Sequence, residues 1–134
     1  MIEVVNRQRG KKIDINPWTT FATEALDAIG KHGFSATIAF VSDTNIRRLN
    51  KQFRKVDKVT DVLSFPANDE TNLGDIAISA ETAAAQAKEN GLTFEAEIAQ
   101  LILHGLLHLC GYDHETDNGE MNRLELRLRK KLGI

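Results

Sequence analysis

The chain has 134 residues, 42% hydrophobic and 27% charged, with nine Gly, two Pro and a single Cys. That length fits one domain, residues 1–134, with enough chain to bury a real core, and the composition excludes disordered, collagen-like and low-complexity classes. Seventeen Lys and Arg against 19 Asp and Glu leave a net charge of -2, so the total charge announces no polyanionic partner.

The segment Met1 to Asn6 is short and rich in β-branched residues, a first strand. Asn16-Pro17 reads as an N-cap followed by proline at the first helical position. Trp18, Phe21, Ala22, Ala25, Leu26 and Ile29 follow at helical spacing, and Gly30 or Gly33 ends that helix. Ser35 to Val41 is a second strand. Ser42 or Asp43 caps a second helix that carries Ile46, Leu49 and Phe53 inward. Asp61 to Pro66 and Asp75 to Ser79 are two further strands about the polar loop NDETNLG. Ser79 caps an alanine-rich helix stopped by Gly91, and Thr93 opens a helix that is apolar nearly all round and so buried in the middle of the domain. A last amphipathic helix, about Asn118 to Leu132, keeps Met121, Leu124 and Leu128 on one side. The expected fold is α+β, one small mixed sheet of about four strands packed with about five helices.

Cys110, being alone, excludes an internal disulfide framework and suits a reducing compartment. MIEVVNRQRGKK has no apolar run of the secretory kind, and no stretch approaches 18 uninterrupted apolar residues. A soluble, cytoplasmic domain with no membrane partner is expected. Charge is unevenly distributed. Six basic residues (Arg47, Arg48, Lys51, Arg54, Lys55, Lys58) and one acid lie between Arg47 and Lys58, while Asp61 to Glu97 holds eight acids and one base. The basic cluster reads either as a solvated helix face or as a local phosphate-binding edge.

Three of the four histidines lie within eleven residues, His104-Gly-Leu-Leu-His108-Leu-Cys-Gly-Tyr-Asp-His114. Residues i and i+4 stack on one helix face, so His104 and His108 can offer imidazoles to one point. Gly111 can end the helix in the left-handed conformation, and two further residues return His114 to the same side. Three converging neutral nitrogens are what a catalytic Zn²⁺ needs, although such sites also accept nickel, copper or cobalt. Two polar rings on an otherwise apolar helix would each need a partner if they were mere core residues. His32 is an ordinary histidine of a helix-terminal turn. Cys110 lies about 200° around the helix from His108 and reads as core.

The spacing H-x-x-x-H-x-x-G-x-x-H matches the zinc-peptidase pattern of metzincins with one departure: the Glu that serves there as general base is here Gly105. A conventional protease is therefore not expected. A bound zinc still lowers the pKa of its water to about 7 without that Glu.

The residues resemble those of the YbeY family of bacterial endoribonucleases, also called rRNA maturation factors. HGLLHLCGYDH at 104–114 matches the family's histidine signature, KVTDVLSFP at 58–66 resembles its TDVLSFP segment, and LGDIAIS at 73–79 its LGDIxIS segment. Leu49-Asn50, Phe53-Arg54 and Met121 also fall where the family has them, and Cys110 stands where an aliphatic residue is commoner. The resemblance implies a metal-dependent endoribonuclease acting on single-stranded RNA, in maturation of the 16S rRNA 3′ end and in ribosome quality control. It implies one zinc held by His104, His108 and His114, a functional arginine at Arg54, and ribosomal or small-subunit precursors as partners, with no DNA. Independently of the resemblance, an arginine beside a phosphodiester can stabilise the developing oxyanion. The alternative is a ribosome-associated assembly factor whose metal and basic helix serve binding. Asp61 and Asp75, each opening a strand beside the expected cleft, read either as partners for a histidine N–H or as strand-end caps. Asp113 either orients His114 or terminates the turn.

Overall fold

The computed structural model describes residues Met1–Ile134. The elements in chain order are β1 (Ile2–Asn6), α1 (Ile15–Ile29), β2 (Ser35–Val41), α2 (Asp43–Arg54), β3 (Val62–Pro66), β4 (Asn72–Ser79), α3 (Ala80–Asn90), α4 (Phe94–Leu109) and α5 (Glu120–Leu132). The strands form one mixed sheet in the order β1-β2-β4-β3, parallel except for the antiparallel β3–β4 pair. The α+β class, the four strands and the five helices are as the sequence leads one to expect. No helix is long and apolar enough to cross a membrane.

The sheet separates two cores because successive residues of a strand face opposite ways. Ile76 and Ile78 of β4 join Ile38 and Phe40 of β2 on the face covered by α1 and α4. Ala77, between them, faces the other way with Val41, Leu63 and Ile46 under α2. The larger core is built on α4, where Ile98, Ile102, Leu103, Leu106 and Leu107 are fully shielded. Each large apolar side chain so withdrawn from water contributes about 1.5–3 kcal/mol. Met121 and Leu128 of α5 close the same core.

Caps explain where the helices start. Ser42, Ser79 and Thr93 each accept a backbone N–H three residues on, opening α2, α3 and α4. The Ser79 hydroxyl also donates to Asp43, whose Oδ1 accepts from Thr82 Oγ1 at 2.6 Å, so the first turns of α2 and α3 are tied together. Gly30, with φ 92°, ends α1.

Two expectations need correction. The cap of α1 is Asp14, whose side chain accepts from the Asn16 N–H at 3.2 Å, so Pro17 lies two positions further into the first turn. Any first-turn position tolerates proline because those N–H groups have no intrahelical acceptor. Phe53 does not enter the core. The end of α2 overhangs the edge strand β3, where Phe53 stays 58% exposed and meets Phe65 edge-on at 5.3 Å.

Candidate metal centre and active-site cleft

The last turns of α4 carry the first two histidines. His104 and His108 are half-buried among buried residues in the last turns of that helix, with their Nε2 atoms 3.1 Å apart. The helix closes at Cys110, and Gly111 takes φ 95°, a conformation that penalises any Cβ. Its N–H and that of Tyr112 bond back to the carbonyls of His108 and Leu107. This reversal returns the exposed His114, whose ring centroid lies 5.6 Å from that of His104 and 5.5 Å from that of His108. One ring nitrogen from each of the three lies within 4.8 Å of the others.

The donor set could hold a transition-metal ion. A tetrahedral site with Zn–N bonds of about 2.0–2.1 Å places its nitrogens about 3.3–3.4 Å apart, close to the His104–His108 separation. Two imidazole nitrogens at 3.1 Å repel unless a proton or a cation lies between them. His108 is suited to being a neutral ligand: burial lowers its pKa, and the neighbouring His104 and His114 lower it further.

Glu125 of α5, absent from the sequence expectations, completes the arrangement. Its Oε1 is 2.7 Å from His104 Nδ1, and its Oε2 accepts from Arg129 at 2.7 Å. Burial pushes the Glu125 carboxyl upward, but the hydrogen bonds and charges of His104 and Arg129 outweigh burial and hold it below the usual range. The signal for it was present: Glu125 falls at i+4 from Met121 and i-3 from Leu128, a charge in the middle of an apolar helix face.

The three histidines open onto a cleft of about 570 Å³ that also includes Arg54, Asp61 and Ser64. Arg54, the last residue of α2, reaches round the sheet edge and donates to the Ser64 carbonyl at 2.7 Å. Because β3 is the edge strand, that carbonyl has no neighbouring strand to pair with. The guanidinium is thus anchored by one donor, and its others remain available. The remaining basic side chains of the cluster lie exposed, Arg47 in an ion pair with Asp57 at 2.7 Å.

Asp61 and Asp113 take local backbone roles beside the cleft. Asp61 lines the cleft, but its carboxylate accepts from the Val62 N–H at 2.7 Å. Asp113 accepts from the Glu115 N–H at 3.0 Å and shapes the turn. Asp75 does not flank the cleft. It is exposed and alternates with Ile76, so it faces away from α4. None of the three bonds a histidine. Cys110 is half-buried against the core, and burial raises its thiol pKa. His32 pairs with Asp27 at 2.7 Å at the exposed end of α1.

A family model described as Endoribonuclease YbeY matches residues 3–133. A relative from Solibacter usitatus bearing that description is 58% identical over 92 residues, or 69% of this chain and 62% of its own length. The match thus spans slightly under two-thirds of that relative. A second, from Koribacter versatilis, is 49% identical over 114 residues, covering 85% of this chain and 74% of the relative. A third, from Nitratiruptor, is 41% identical over 130 residues, covering 96% and 86%. The solution structure of a Thermotoga maritima protein superposes with a TM-score of 0.70 at 31% identity, covering 98% of this chain and 89% of that one. From residue 3 to residue 133, this chain belongs to the YbeY endoribonuclease family.

Proposed function

We propose that the chain is a single-domain, zinc-dependent endoribonuclease that cleaves single-stranded RNA, with His104, His108 and His114 as metal ligands and Arg54 as a catalytic residue. The observation that carries the reading is the opening of three clustered imidazoles and an anchored arginine onto one cleft. A metal held by three side chains keeps a position open for reactants, whereas structural zinc sites are normally closed by four protein ligands. This favours catalysis over a purely binding role. The relatives' shared description as endoribonucleases supports RNA as the substrate; rRNA precursors in the cytoplasm are part of the proposal.

A zinc ion bound there would supply Lewis acidity and a lowered water pKa. The protein's own side chains do the rest. Arg54, anchored at the cleft, would stabilise the negative charge that develops on a phosphodiester bound there. Burial favours the neutral form of His108, the form that can donate a lone pair to a metal. Arg48 and Lys51, exposed along α2, and Lys55, which caps its end, offer phosphate contacts near Arg54. No side chain at position 105 can act as a peptidase-type base, so protease chemistry has no support.

The test is cleavage of a single-stranded RNA by zinc-loaded wild type and by an identically prepared His114→Ala variant. Activity confined to the wild type supports the reading, and equal activity in both preparations refutes it by pointing to a contaminating nuclease. A 5′-phosphate on the product identifies water as the attacking group, and a 2′,3′-cyclic phosphate identifies the RNA's own 2′-hydroxyl.

A further inference from the structure

Glu125 and His104 stand 21 residues apart in sequence and on different helices, yet their side chains meet at 2.7 Å. Glu125 lies on the inward face of α5 between the buried Met121 and Leu128, and only 8% of its own surface is exposed. A carboxylate so placed has lost most of its water and must replace it with hydrogen bonds. It has two partners. His104 Nδ1 faces Oε1, and Arg129, one helical turn further on, donates to Oε2.

The pairing has a chemical consequence. A carboxylate only accepts hydrogen bonds, so Nδ1 of His104 must be the donor. With its proton on Nδ1, the neutral ring carries its lone pair on Nε2. That Nε2 is the atom 3.1 Å from His108 Nε2 within the histidine cluster. Arg129 holds the far carboxylate oxygen and so limits rotation of the group that sets the tautomer. Stability alone is a poor reason for this arrangement, because replacing a buried ion pair with apolar side chains is often neutral or stabilising.

We propose that Glu125, clamped by Arg129, is a positioning residue that fixes His104 as its Nδ1–H tautomer and aims the Nε2 lone pair at a divalent transition metal. The inference deepens the metal reading given above and rests on it. Carboxylate–histidine–metal pairs of this kind raise ligand basicity, and their loss typically weakens metal binding by about 10–100-fold.

Two measurements on the full chain test it, in wild type, Glu125→Leu and Glu125→Gln. The first is nitrogen NMR of labelled imidazoles in zinc-free protein, above the imidazole titration range. The second is zinc affinity by competition with a chromophoric chelator. The expected wild-type signature is a protonated Nδ1 and an unprotonated Nε2 on His104. Glu125→Leu should shift His104 towards the Nε2–H form preferred by free imidazole and loosen zinc by about 10–100-fold. Glu125→Gln keeps an oxygen acceptor for Nδ1–H and should recover part of both losses. If Glu125→Leu does not fold, the wild-type tautomer and Glu125→Gln still decide. An Nε2–H tautomer in the wild type overturns the inference. So do variants that melt earlier yet keep wild-type tautomer and zinc affinity, since that is the behaviour of a merely structural residue. A wild type that takes up no zinc overturns instead the metal reading beneath it, and is told apart by that result.

Discussion

Gly105 packs its bare Cα against Ile76: a Cβ built at that position would lie 2.9 Å from Ile76 Cδ1 and 3.0 Å from Cγ2. The position that bears the general base in H-E-x-x-H peptidases is here a contact between the central helix and the sheet. The Ser64 hydroxyl donates to the Gly105 carbonyl at 3.3 Å across the same approach. The missing glutamate therefore has a packing reason as well as a chemical consequence.

Gly105→Ala should lose about 1–3 kcal/mol to overpacking against Ile76, offset in part by about 1 kcal/mol of helix propensity. Gly105→Glu should do worse, because it also drives a carboxylate towards a buried isoleucine. Urea denaturation measures both. Shortening the neighbour in the Gly105→Ala/Ile76→Val double variant should recover part of the loss, as contacting positions couple. Strictly additive effects would show that the clash is relieved elsewhere. Gly105→Glu should gain no peptidase activity.

Arg54→Ala is expected to lose RNA cleavage by on the order of 10²-fold or more while keeping its metal and its fold, as loss of an oxyanion contact does. Arg48→Ala and Lys55→Ala should instead weaken RNA binding and flatten the salt slope by roughly one phosphate contact each. Single-turnover rates and binding titrations across a salt series separate the two behaviours. Full activity of Arg54→Ala at ordinary salt would sink the electrostatic account.

Zinc should bind at up to one ion per chain and raise the melting temperature. At a free concentration one hundred times the dissociation constant, linkage contributes about 2.7 kcal/mol. Elemental analysis of untagged protein and a thermal melt with and without chelator measure this. His104→Ala/His108→Ala should lose both the metal and the thermal shift. A double variant that still retains zinc would place the site elsewhere.

The zinc-free protein should lose stability on acidification in two stages. His108 has a folded pKa below its ordinary value of 6.5, so below that pH the unfolded chain takes up a proton the folded one resists. Its contribution is complete above 6.5 and falls as pH drops towards the lowered folded value. Glu125 also has a lowered pKa, so its contribution is present above its ordinary 4.5 and is lost as pH falls through the folded value. Urea midpoints from neutral to acid pH should therefore decline first through the histidine range and again below 4.5. Removing His108 should abolish the upper stage alone. A flat profile through that range in the wild type would contradict the assignment.

Local signals were sufficient for much of this molecule. The caps Ser42, Ser79 and Thr93, the glycine stops at Gly30 and Gly91, and the alternation in β2 each act within a few residues, so they are readable in one dimension. The i, i+4 spacing of His104 and His108 is likewise a property of one helix, and Gly111 announces the reversal that returns His114. At α1 the Asn16-Pro17 pair points to Asn16 as the cap, but Asp14 two residues earlier takes that role, so the helix starts sooner than the pattern indicates.

What the pattern could not decide depends on elements far apart in the chain. Phe53 has the spacing of a core residue, but its exposure follows from α2 ending over a short edge strand. Asp61 and Asp75 look equivalent as strand openers, yet Asp75 lies inside β4, where alternation turns it away from α4, while Asp61 precedes β3 and lines the cleft. Glu125 reads as a misplaced charge until α5 packs beside α4 and brings it to His104. Helical periodicity and capping are set by neighbours along the chain. Which carboxylate meets a given imidazole is set by how separate helices pack, and that is settled only when the core closes.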